Sequence, residues 1–383
     1  MPYDGGGGFR ARVLPSVAAF DPHEWDALVR DEDFYHSHGW LRGLDHALGS
    51  TGILVVEGGA GLAGGCALWQ GEHAAHGLFA LPDYFPDVAG PWHAPFLWLG
   101  ARRATHTELP CIAGARRRDA LDCLLTSAIA LAAQRGLAGV VVPYMPLGRA
   151  FELAAERPRV HVLLHSAEAS VDVPAGGLDE MLASWSKRHR VRSKAELSAF
   201  ARCGNRVEWT ALDEGIVDTA ARLIAANRAR HGSAQGEGWM RRMLAGQRRS
   251  GVLDDAVAAI ARRDDRVCAL TIFYRFGSVL HTRYFGSDYS IDDRDYRYFV
   301  LSYYLPLNYA AGRGLKQCRL STSALEAKVH RGGRLEPQAA LVVLTGGARL
   351  DAAEVERHNA RFVDDYRRRF SAHLTPDWSG AVH

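Results

Sequence analysis

The chain lacks any apolar run of the ~18 to 20 residues that a membrane-spanning helix requires. Its opening, MPYDGGGGFRAR, has no apolar core of a signal segment, so we expect a flexible tail over residues 1–12 and a cytoplasmic protein with no membrane partner. The six cysteines (66, 111, 123, 203, 268 and 318) are scattered and include no CxxC pair, which argues against a disulfide framework or zinc knuckle. Also missing are a GxSxG elbow, an HExxH pair, a Walker A loop and a cysteine with a recognisable partner pattern. His36 and His38 are metal-ligand types without further ligands nearby, so no metal is expected. One formal GxGxxG, Gly59 to Gly64, runs into the strand-like CALWQ where a dinucleotide site needs a helix, and it reads as a tight turn.

A length of 383 residues implies two domains, and 48% hydrophobic with 23% charged residues is the balance of a globular protein. The net charge of +3 hides an uneven distribution. Between Met181 and Arg249 there are 14 Lys/Arg against 6 Asp/Glu, a balance of +8 that leaves the rest of the chain near -5. Such an excess attracts polyanions, and it also occurs on helix faces that are charged only for solubility.

The order of elements repeats. In the first half, GILVVEGG and AGGCALWQGE form a hairpin, and DALDCLLTSAIALAAQRGLAGVVVPYM reads as helix, glycine stop at Gly136 and buried strand. In the second half, VCALTIFYRFGSVLHTRYFGSDYS is again two strands about a turn, and RYFVLSYYLPLNYAAGRGLKQCRLS again helix, glycine, strand. A duplicated α/β (α+β) unit explains length and order together. The expected layout is a first domain over 13–170, a basic linker helix within 171–210 and a second domain over 211–383.

This repeated order resembles the tandem acyltransferase fold shared by GNAT enzymes and Fem-type peptidyl transferases, each half a mixed sheet flanked by helices. FYHSHGWLRGL resembles the opening of these proteins, and SWSKRHRVRSKAELSAFARCG their basic linker helix. YYLPLNYAAGRGL with LEAKVHRGGRLEP resembles the core of the BioF2-like, peptidoglycan-recognition-like GNAT group. The resemblance implies an acyltransferase with its active site in the second domain, joining a small-molecule amine acceptor to an activated acyl donor. That donor is aminoacyl-tRNA as co-substrate in the Fem enzymes and acyl-CoA in other members, with no further cofactor. The usual CoA turn is glycine-rich, whereas the matching SIDDRDYRYF has no glycine and carries Asp292, Asp293 and Asp295, which repel a pyrophosphate. Otherwise these aspartates read as a solvated loop and helix N-cap. We therefore expect an aminoacyl-tRNA donor and a role in natural-product biosynthesis, with an acyl-CoA-dependent N-acyltransferase as the alternative and a non-catalytic RNA- or ligand-binding protein of the same fold as the third reading.

On the basic helix, Lys187, Arg190 and Lys194 share a face, flanked by Arg188 and Arg192. Together with Arg241, Arg242, Arg248 and Arg249 they suit RNA phosphates, while Val191, Ala195 and Phe200 are placed to face a core. Trp185 and Trp239 are the stacking platforms this segment offers. Near the C-terminal end, Ser323 and Glu326 match a capping box, and Lys328 and Arg331 then share a helix face as donor or acceptor contacts. Candidates for proton handling are Tyr304, His281 and Glu326, with Tyr303, Tyr284, Arg283 and Asn308 as further substrate contacts. Strand alternation puts His281 and Arg283 on one face and Tyr284 on the other, and Tyr304 and Asn308 are i, i+4 on a helix. Each aromatic also reads as core.

Overall fold

The computed structural model describes residues 3–4, 8–70, 77–291 and 294–382. In chain order the strands are β1 (Tyr3–Asp4), β2 (Arg10–Leu14), β3 (Ile53–Gly58), β4 (Gly61–Gln70), β5 (Leu97–Leu99), β6 (Gly139–Pro146), β7 (His161–Asp172), β8 (Arg206–Thr210), β9 (Ala256–Arg263), β10 (Arg266–Phe276), β11 (Val279–Ser287), β12 (Gln317–Arg319) and β13 (Arg334–Leu344). The chain divides into two compact units. Unit 1 holds Met1–Arg42, Ser50–Glu168 and Leu335–His383; unit 2 holds Gly43–Gly49 and Ala169–Arg334.

Unit 1 is a mixed sheet in which β1 to β5 pair antiparallel in sequence order, β5 runs parallel to β6, and β6 pairs antiparallel with β13. A parallel pair needs a crossover, supplied by the helix Arg117–Gln134, whose Ala120, Leu121, Leu124, Ala128 and Leu131 are buried at helical spacing. Gly136, at φ +65°, stops it in the left-handed conformation that glycine adopts without strain. Trp69, Trp98, Tyr84, Phe85 and Phe96 pack the core with Val141 and Val342.

Unit 2 repeats the plan. β8 to β11 pair antiparallel, β11 runs parallel to β12, and β12 pairs antiparallel with the last residues of β7. The crossover here is the helical run Arg297–Ala311, which passes through a π turn at Val300–Tyr304 before Pro306. The duplicated hairpin, helix, glycine and strand are therefore present.

The domain layout differs from expectation because each sheet is completed by a strand from the other half of the chain. β7 follows β6 in sequence but ends beside β12, and β13 follows β12 but pairs with β6. Residues Leu335–His383 thus belong to unit 1, not to a domain spanning 211–383. The physical reason is burial: Ala339, Ala340, Leu341, Val342 and Val343 form a run that is buried throughout, as an inner strand demands. The helix Ala352–Phe370 then docks on β7, where Asn359 accepts from Leu164 N at 2.8 Å and donates to Val162 O at 2.9 Å. The supposed linker helix lies wholly within unit 2.

The tail expectation is also corrected in part. Arg10–Leu14 is a strand on β3, with Phe9 and Ala11 buried, so the alternating FRARVL was a half-buried strand. Residues 1–2 and 5–7 lie outside the described residues. Gly59 to Gly64 is a hairpin turn entering β4, as expected.

Candidate functional site

The basic helix spans Lys187–Arg202, starts at Ser186, whose hydroxyl accepts from His189 N, and ends before Gly204 at φ +75°. Lys187, Arg188, Arg192 and Lys194 are exposed, whereas Arg190 folds back to donate to Trp185 O at 3.1 Å. Val191 and Ala195 are exposed rather than core residues. The buried stripe is instead Ser193, Glu196 and Phe200, at i, i+3 and i+7.

Glu196 is therefore a buried carboxylate beneath a cationic face. Arg331 meets it with two donors, Nη2 to Oε1 at 2.8 Å and Nε to Oε2 at 3.2 Å, the bidentate geometry that suits guanidinium and carboxylate. Arg192 adds a contact at 3.2 Å from the exposed side. Tyr304 donates to Glu196 Oε2 at 2.6 Å, with Ser193 Oγ 3.1 Å from the same hydroxyl. Burial, and then the bond to Glu196, push the Tyr304 hydroxyl up to about 12, so it remains a proton donor at neutral pH. The guanidinium of Arg331 also lies 3.3 Å over the Phe299 ring and donates to Ala327 O at 2.8 Å. Tyr304, expected as a catalytic group, and Arg331, expected as a donor or acceptor contact, both hold the underside of the basic helix.

Other expected site residues have structural partners. Lys328 is 2% exposed and its Nζ donates to Ser321 O at 2.8 Å. The capping box is absent: the short helix Leu325–Val329 follows Ala324 at φ +52° with no side-chain cap, and Glu326 is exposed. The left-handed turn at Ala324 moves Ser323 out of the capping position. Asn308 accepts from Leu178 N at 2.8 Å, so it caps the helix Gly177–Ser184 instead of sharing a cleft with Tyr304. Tyr303 is buried and Tyr298 partly buried, with hydroxyls 2.6 Å apart, and desolvation raises both above the ordinary tyrosine range.

A β-bulge overturns the strand alternation at His281. His281 pairs with Tyr274, Thr282 with Phe273 and Tyr284 with Ile272, which leaves Arg283 as the extra residue. His281 and Tyr284 consequently share the face of Tyr274, whose hydroxyl donates to Gln247 on the helix Glu237–Arg249 at 2.6 Å. The run bearing Tyr304 covers the opposite face, where Ser302 meets Thr271 at 3.0 Å. His281, Tyr304 and Glu326 are not brought together. The β11–β12 ladder stops at His281 and Arg319, while β11 runs on to Ser287.

The start of the run bearing Tyr304 is occupied. Asp295 is 1% exposed, and its Oδ1 accepts from Arg297 N at 3.1 Å and Arg297 Nε at 2.8 Å. Its Oδ2 accepts from Asn205 at 2.8 Å and Arg263 at 2.5 Å. Asp295 is not in a solvated loop; Asp292 and Asp293 lie outside the described residues. On the helix Glu237–Arg249, Arg241 is paired with Glu237 and Asp218, and Arg248 with Glu214, whereas Arg242 and Arg249 are exposed. Trp239 is covered by Arg228 at 4.8 Å. Among the described residues no His/Cys/Asp/Glu group could hold a metal ion, and no helix is long and apolar enough to cross a membrane.

Sequence reading missed Glu196 and Ser193. Their signal was the i, i+3, i+7 stripe with Phe200 inside an otherwise cationic helix.

No protein-family model and no curated protein matches the chain. Solved structures do. FemX aligns with 87% of this chain and 97% of its own at a TM-score of 0.58 and 12% identity. A conserved protein of unknown function from Bacteroides thetaiotaomicron covers 85% and 98% at 0.54 and 12% identity. L-PGS from Bacillus licheniformis covers 88% and 95% at 0.50 and 10% identity. The chain therefore has the Fem-like tandem fold expected from its sequence.

Proposed function

We propose that the protein is an acyltransferase that forms an amide bond between an aminoacyl group carried by tRNA and the amine of a small-molecule acceptor, in natural-product biosynthesis. One observation carries the choice of donor. The helix start where a CoA pyrophosphate would seek backbone N–H groups is already filled by Asp295, which takes both the backbone and the side chain of Arg297. A diphosphate there would face a buried carboxylate. The exposed row Lys187, Arg188, Arg192 and Lys194 offers the phosphates of an RNA a different seat, held from below by Glu196.

Aminolysis of an ester needs a neutral amine, donors for the developing oxyanion and a proton for the leaving oxygen. In this reading the scissile carbonyl lies beside β11 past the end of its ladder with β12 at His281 and Arg319, and backbone N–H groups of β11 act as the oxyanion donors. His281, 3% exposed where the ladder ends, is the group this reading assigns to proton transfer. Because an aminoacyl ester is already activated, positioning supplies much of the rate.

The test is incubation with total charged tRNA or with an acyl-CoA panel, in separate tubes with candidate amines, followed by mass analysis. Product from charged tRNA that ribonuclease abolishes supports the reading; product from CoA alone overturns it.

A further inference from the structure

Unit 1 contains a cavity with both charged and apolar lining that the reaction above does not use. Its volume is about 180 Å3, and its walls include Arg30, Asp33, Glu108, Leu109, Arg117 and Arg149. The inner wall is acidic and fixed. Asp33 is 1% exposed and Glu108 7%; Asp33 Oδ2 accepts from Glu108 N at 3.2 Å and its Oδ1 lies 2.7 Å from His36 Nδ1, while burial raises its carboxyl above the ordinary range. Behind Glu108, His106 lies between two buried carboxylates, 3.3 Å from Glu108 and 2.8 Å from Glu168. Burial alone would raise Glu108, but the bond and charge of His106, with Arg30 and Arg149, hold it at about 2, so it is a carboxylate at any physiological pH. The next residue, Leu109, is held at φ +52°, a backbone cost that fixes the direction of Glu108.

The outer wall is basic and adaptable. Arg30 is half exposed and touches Glu108 through one nitrogen at 3.2 Å, and Arg149 does so at 3.3 Å. Arg149 and Arg117 share Glu152, both at 2.7 Å. The charge is thus graded, negative within and positive around it. A simple cation meets the guanidinium groups first, and a simple anion meets carboxylates at the inner wall. A molecule with an ammonium leading and a carboxylate trailing satisfies both.

We infer that this cavity is a binding site for a small aminocarboxylate, with its ammonium against Asp33 and Glu108 and its carboxylate against Arg30, Arg149 and Arg117. The inference is independent of the acyl donor and of whether the protein is an enzyme.

It is tested on the full chain by calorimetry and thermal shift with L-alanine and L-leucine, and with propylamine and propionate, which each keep one of the two charges. The expected result is saturable binding of an amino acid that raises the melting temperature. Each single-charge analogue should bind at least about tenfold more weakly, as for one lost charge-assisted hydrogen bond. Glu108→Gln should weaken the amino acid similarly. Ala113→Trp, at the exposed rim and outside the polar network, should block it while leaving the fold intact. The inference is overturned if neither amino acid binds, if propylamine or propionate binds as tightly, or if Ala113→Trp leaves binding unchanged.

Discussion

Glu196 and Arg331 stand 135 residues apart in sequence and form a bidentate ion pair, 2.8 and 3.2 Å long, with both side chains buried. The pair joins the underside of the basic helix to the turn after Leu325–Val329. Since removing one partner strands a buried charge, Glu196→Ala should lower stability by about 3–5 kcal/mol in urea unfolding, and Arg331→Met by a similar amount. The double change Glu196→Leu with Arg331→Met should cost much less than the sum of the singles. Additive losses would show that the two residues act separately.

Tyr304→Phe removes one donor to Glu196 while keeping the ring. A loss of about 1–3 kcal/mol is expected, the usual cost of leaving a buried acceptor under-satisfied. If the residue handles protons instead, turnover will fall by orders of magnitude while unfolding changes little; equal unfolding midpoints for variant and parent would contradict the anchoring role.

The exposed row is a separate prediction. Changing Lys187, Arg188, Arg192 and Lys194 to Ala should weaken tRNA binding and flatten the dependence of log K on log salt by about 3, close to 0.7–0.9 per lost phosphate contact. Unfolding should change by at most about 1 kcal/mol, since the side chains are exposed and the half-exposed Arg192 contact to Glu196 is the one lost to the buried anchor. An unaltered salt slope would place the RNA elsewhere. Arg241→Ala should matter less, since Arg241 is already paired with Glu237 and Asp218.

Acid stability should depend on Glu108. Its folded pKa, about 2, lies below the unfolded value near 4.5, so the unfolded chain binds the extra proton in that window. The stabilisation is complete above about 4.5 and is lost as pH falls toward 2. Glu108→Gln should remove that part of the acid limb in a pH series of melting temperatures. An identical limb in both proteins would contradict the buried carboxylate.

Much of the fold could be read from the chain because it is written in local terms. The hairpins, the helix after each, and the stops at Gly136 and Gly314 follow from periodicity and from glycine's access to positive φ. The exchange of β7 and β13 was not legible, because an apolar run such as AALVVL says that it is buried but not which sheet buries it. The site was less legible still. A single bulge at Arg283 reversed the face of Tyr284, and one left-handed residue, Ala324, undid a capping box. Beyond its stripe with Ser193 and Phe200, nothing local sets Glu196 apart on its cationic helix; only Arg331 and Tyr304, supplied from far along the chain, make it the anchor.

The most direct test of the central claim is product formation from charged tRNA. With candidate amines present, the account predicts a new amide whose mass equals amine plus amino acid less water, formed from charged tRNA and abolished by ribonuclease. It also predicts that CoA esters give no such product and no thermal stabilisation. A ribonuclease-resistant product made from an acyl-CoA would contradict it.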